Sequence, residues 1–189
     1  MTITKKLLFT VALASTTFAG STVFANHHKM ANPIVGGAAM YPAKTIAENA
    51  STAPNLTTLV AAVKAAGLVE TLASPGPFTV FAPTNAAFEK LPEGTVPTLL
   101  KPENKATLTK ILTYHVVAGK LTANDIISAI KAGGGKASLT TVAGEKITAR
   151  MSGKSVVITD AKGGQSAVTT VDVIQSNGVV HVIDSVLLP

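Results

Sequence analysis

Residues 176–189 read SNGVVHVIDSVLLP, and how this run folds decides the rest. His181 and Asp184 stand inside an otherwise apolar stretch. If the run is regular strand, period-two alternation puts Val179, His181 and Ile183 on one face. Val180, Val182, Asp184 and Val186 fall on the other. His181 and Asp184 then point to opposite sides and cannot form a simple His–Asp pair. Each needs its own partner, because a buried neutral imidazole has one donor and one acceptor to satisfy. The expected role of both is structural. Asn177-Gly178 is a strong hairpin dipeptide, so this strand should pair with residues 167–174 before it.

Upstream, short β-branched runs at 137–143, 145–151 and 155–159 are punctuated by Gly144, Ser152-Gly153 and Lys162-Gly163-Gly164. The first half reads as helix. Leu56, Leu59, Val60 and Val63 recur at helical spacing, with Gly67 fitting the helix end. Leu68, Val69 and Leu72 suggest a further short turn. Pro102 opens another helix whose apolar face is Leu108, Ile111 and Leu112. Thr122 and Asp125 have capping-box spacing ahead of Ile126, Ile127 and Ile130, and Gly133-Gly134-Gly135 ends that helix. Residues 78–82 form a strand inserted among the helices. Segregated helices and strands argue an α+β fold over a doubly wound parallel sheet.

The chain has 189 residues. Lys5-Lys6, an apolar run over residues 7–18 and Val23-Phe24-Ala25 read as a secretory signal peptide, 1–25, cleaved after Ala25. The apolar run is short for a membrane span, so no stable insertion is expected after cleavage. Residues 26–40, rich in Gly, Ala and Pro, read as a flexible leader. The domain is expected over 41–189, and the protein is expected to be secreted or periplasmic. Removing two lysines and no acid takes the formal charge from +6 to +4. The remaining aromatics are Phe78, Phe81, Phe88, Tyr41 and Tyr114, so the core must be aliphatic. There is no cysteine, hence no disulfide, and about 160 residues can bury enough apolar surface without one.

Several functions are disfavoured. The lysines are dispersed among acids and Arg150 is the single arginine, which argues against a nucleic-acid partner. There is no G-x-S-x-G elbow, no H-E-x-x-H and no Gly-rich loop after a strand. The run AGGGKAS follows a helix and reads as a turn. Scarce aromatics disfavour sugar binding by ring stacking, though not sugar recognition by hydrogen bonds.

Three ordered blocks, GPFTVFAPTNAAFEKLP (76–92), ILTYHVVAGKL (111–121) and SNGVVHVIDSVLLP (176–189), resemble the two conserved blocks and the Tyr-His motif of the fasciclin-like domain. The resemblance runs from about Thr45 to Pro189. It implies a wedge of two β-sheets with helices packed along one side. It also implies a non-enzymatic adhesion module without a cofactor, whose partner is a cell-surface or matrix protein or a polysaccharide. Thr84 or Asn85 would cap the helix that follows the first block. Asn177 and Gly178 would supply positive φ in the hairpin turn. His181, Asp184, Tyr114 and His115 would satisfy buried backbone groups. Some animal matrix members of this family bind integrins through positions matching Asp172-Val173 and Tyr114-His115. Those four are therefore candidate contact residues, and Asp172→Ala is expected to leave stability unchanged.

Two alternatives come from other classes. One is a periplasmic envelope protein with a hydrolase-like role for His181 or His115. The other is a copper-binding role: after cleavage, the free amine of Asn26, two backbone amides and the imidazole of His28 would suit square-planar Cu(II) or Ni(II).

Overall fold

The computed structural model describes residues 32–189. The signal peptide, the Asn26–His28 metal hypothesis and the first part of the leader lie outside the described residues. From Pro33 onward the expected flexible leader is instead built into the domain. β1 (Ile34–Val35) and β2 (Ala38–Ala39) form a small hairpin. Val35 and Met40 are buried in the core. An apolar side chain every few residues in this Gly/Ala-rich stretch is enough to anchor it.

Helices α1 (Ile46–Thr52), α2 (Thr57–Ala66) and α3 (Val69–Ala73) come next. Thr45 and Glu48 close a capping box on α1, a signal present in the sequence that the expectations above lack. Gly67 ends α2 in the left-handed region, as expected. β3 (Phe78–Pro83) precedes α4 (Asn85–Glu89), α5 (Thr95–Leu99) and α6 (Lys105–Tyr114). β4 (Val116–Ala118) leads to α7 (Ala123–Ala132), whose Thr122/Asp125 capping box forms as expected. Then come β5 (Lys136–Thr140), β6 (Lys146–Ser152), β7 (Ser155–Thr159), β8 (Gln165–Gln175) and β9 (Gly178–Ile183).

The strands form one ladder in the order β4-β3-β9-β8-β7-β6-β5. The long β8 bends it into two sheets, because its pairing with β9 breaks register twice between Val168 and Val173. A bridge between Val117 and Thr141 brings the two outer edges together, giving a wedge that is nearly a barrel. The α+β class matches the pattern of helices and strands in the sequence, and the wedge is the one that the resemblance implies. One pairing is parallel, β3 with β9, in the register Phe81↔His181.

That central pair feeds two cores by alternation. Val80, Ala82, Val180 and Val182 face α1, α2 and α6. Phe81 and Ile183 face the opposite way, onto Tyr114, Ile126, Ile130, Ile147 and Ile158. Every residue of β9 is buried, since the strand is covered on both faces.

Candidate functional site

Polar residues of the three blocks gather around the β3–β9 pair, and several of them hold backbone in place. His181 lies stacked on Phe81 with ring centroids 5.7 Å apart. Its Nε2 sits 2.9 Å from the Leu121 carbonyl, and its Nδ1 faces the Asp172 amide at 3.4 Å. These partners assign the proton to Nε2. Burial lowers the His181 pKa against the raising influence of the Leu121 carbonyl and the Asp172 carboxylate. Asp172 accepts from the Ala123 amide at 2.7 Å, a free donor in the first turn of α7. Its φ is 55°, in the left-handed region that Asp tolerates better than most residues. Thr79 Oγ1 donates to the Gly119 carbonyl and accepts from the Leu121 amide, at 2.7 and 2.8 Å. Thr79, His181 and Asp172 together strap the segment from β4 into α7 onto the central strands.

His115, at the end of α6, is the other buried imidazole. Its Nδ1 lies 2.8 Å from the Ile111 carbonyl, one of the acceptors left over where the helix stops. Its Nε2 accepts from the Leu187 amide at 3.0 Å, tying down the C-terminal tail. Burial pushes its pKa from 6.5 down to about 4, so the ring is neutral at physiological pH. Tyr114 is fully buried, and its hydroxyl accepts from the Ala161 amide at 2.9 Å.

The first and third blocks supply caps, two of them to distant helices. Thr84 caps its own helix, accepting from the Ala87 amide. Asn85 does something else: its Oδ1 accepts from the Thr58 amide at 3.0 Å, and its Nδ2 donates to Thr57 Oγ1 at 2.9 Å. It thereby caps α2, whose own preceding residue, Leu56, cannot. Asn177 Oδ1 accepts from the Ile46 amide at the start of α1. Its Nδ2 donates to the carbonyls of Leu72 and Ser74 at the end of α3. Asp184 Oδ1 accepts from the Ala167 amide at 2.8 Å, and Oδ2 lies 3.4 Å from Lys90 Nζ. Burial alone would raise its pKa, but the Ala167 amide and Lys90 outweigh this and hold it low.

Two expectations need correction. Asn177 and Gly178 are not at positive φ. The two-residue turn is Ser176-Asn177, and Gly178 is needed because a Cβ there would strike the Phe78 carbonyl across the parallel pairing. The proposed contact residues are not an exposed surface either. Val173, Tyr114 and His115 are all buried, and Asp172 is half-buried with its carboxylate spent on α7. Asp184 and His181 have separate partners, as the alternation argument requires. The structure also supplies a residue that the sequence reading missed. Asp160 accepts from Lys162, Gly164 and Leu188 amides, closing the β7–β8 turn and holding the tail. The Asp-x-x-Gly turn composition at 160–163 was its signal.

The fasciclin domain model matches residues 54–189. The chain belongs to the fasciclin domain family. It is 53% identical over 156 residues to protein sll1483 of Synechocystis sp., covering 82% of this chain and 79% of that one. It is 40% identical over 131 residues to transforming growth factor-beta-induced protein ig-h3 of Sus scrofa, covering 69% of this chain and 17% of that much longer protein. A solved FAS1 domain pair from the insect cell adhesion molecule fasciclin I superposes with a TM-score of 0.71 at 21% identity. That match covers 78% of this chain and 52% of the insect one, and it establishes the fold. The family match begins at Pro54, so the β1–β2 hairpin and α1 lie ahead of it. Neither His115 nor His181 has a ring nitrogen left to serve a nucleophile, so the hydrolase-like alternative draws no support from them.

Proposed function

We propose that this fasciclin domain is a non-enzymatic interaction module that works at a cell surface or in a matrix after export to the periplasm or the exterior. The observation carrying this reading is how the block residues are used. Their amides, hydroxyls and imidazoles are committed to backbone groups inside the fold. A domain of this kind offers a shaped surface rather than reactive groups. The cell adhesion molecule whose domains share the fold supports the same class of role. Among the described residues, no helix is long and apolar enough to cross a membrane. The partner is a surface or matrix protein or polysaccharide. The contact surface lies away from Tyr114, His115 and Val173, which the fold covers.

The test is attachment. Beads coated with the protein are mixed with cells of the producing organism, and heat-denatured protein serves as control. Attachment that depends on the folded protein is the expected result. Binding no greater than the denatured control overturns the reading.

A further inference from the structure

The core between α1, α2, α3 and the central strands is incompletely filled. A cavity of about 450 Å³ opens there, with walls formed by Ile46, Leu59, Val63, Leu112, Val173 and Val180. Its volume is that of a small-molecule site. Val60, Leu68, Leu72, Phe78 and Val116 also line it, and all five are only half-buried although they belong to this side of the molecule. Solvent therefore reaches large apolar side chains that packing leaves uncovered.

A second, independent deficit lies in the same wall. Gln175, the last residue of β8, is 6% exposed and lines the cavity. Its Oε1 is buried without a hydrogen-bond partner among the described residues. Such orphans are rare in native folds, because the acceptor has lost water and gained nothing. Two other polar side chains of the same wall are committed elsewhere. His115 is bound to Ile111 and Leu187, and the Thr113 hydroxyl is bound to Thr109 and Lys110. A lone water is a poor occupant, since a buried water needs two or more polar partners.

We propose that this cavity binds a small lipid-like molecule with an apolar body and one hydrogen-bond donor, such as a medium-chain alcohol. The apolar body covers Leu72, Phe78 and Val116, and the donor pairs with Gln175 Oε1. One ligand chemistry removes both deficits. The inference goes beyond the interaction role and does not depend on it.

The test is titration of the purified protein with the fluorescent probe N-phenyl-1-naphthylamine, followed by displacement with 1-decanol or its methyl ether. Two variants are compared. Val60→Trp fills the cavity from α2, and Gln175→Leu replaces the amide with an apolar side chain of similar size. The expected result is saturable one-to-one probe binding, weakened at least about tenfold by Val60→Trp. The alcohol should displace probe about three- to tenfold better than the ether in the native protein, the range one net hydrogen bond gives. That preference should vanish in Gln175→Leu, which should still bind probe. Thermal melts establish that each variant is folded; if Val60→Trp is not, Leu72→Trp fills the same space from α3. Unsaturable binding, or binding unchanged by the filling variant, overturns the site. Equal displacement by alcohol and ether in the native protein overturns the role of Gln175.

Discussion

Phe81 and Val80 are neighbours in one strand, yet they enter interiors of different quality. On the Phe81 side, Tyr114, Ile147, Ile158 and Ile183 are completely buried, and the Tyr114 hydroxyl has its partner. On the Val80 side, the sheet faces a cavity of about 450 Å³ and a glutamine oxygen without a partner among the described residues. The first is walled mainly by strands whose alternating side chains interdigitate with α7. The second is walled by short helices, α1 and α3 among them, which leave space between them. Close packing supplies stability, and incomplete packing leaves room for a ligand.

The contrast should break first under truncation. Ile158→Ala on the packed side should cost about 4 kcal/mol and Leu59→Ala on the open side about 2 kcal/mol, read from urea unfolding. The reason is that a residue bordering an existing void gives up fewer contacts. Equal losses would mean that the two sides are packed alike.

Acid sharpens the comparison next, because His115 lines the open side while anchoring the tail. Its pKa is 6.5 when exposed and about 4 in the fold, so the unfolded chain binds more protons between those values. Its contribution to stability is therefore complete above pH 6.5 and is lost as pH falls toward 4, an effect of about 3 kcal/mol. His181, also lowered by burial, acts in the same direction. Melting temperatures should fall across this window, and His115→Gln should flatten the fall. A pH-independent melt between 7 and 4 would contradict the buried, neutral assignment.

The smallest effect concerns Asp172. Asp172→Ala should cost about 1–2 kcal/mol by freeing the first turn of α7, whereas Asp172→Asn, which keeps an acceptor and tolerates positive φ, should cost under about 0.5 kcal/mol. Circular-dichroism melts of the two variants decide this. An unchanged melt for the alanine variant would restore Asp172 as a free surface residue.

The Asp172 case shows where reading the chain stops. Thr122 and Asp125 were legible as a cap because the box closes within three residues. The alternation in β9 was legible because side-chain direction repeats every second residue, and it correctly separated His181 from Asp184. The roles of Asn85, Asp172 and Asn177 were not legible. Their helix partners lie 27, 49 and 131 residues away. Val173 and Tyr114 carried no mark distinguishing a contact residue from a core residue.

Local periodicity and capping chemistry, with three ordered blocks, were enough to establish most of the elements from α2 onward, the α+β class and the family. They are short-range properties that each stretch carries with it. Which polar side chain ends on which helix, which glycine admits a crossing strand, and which core stays open were decided only when distant segments met. Those outcomes depend on the space left between elements, and no single stretch of chain contains that information.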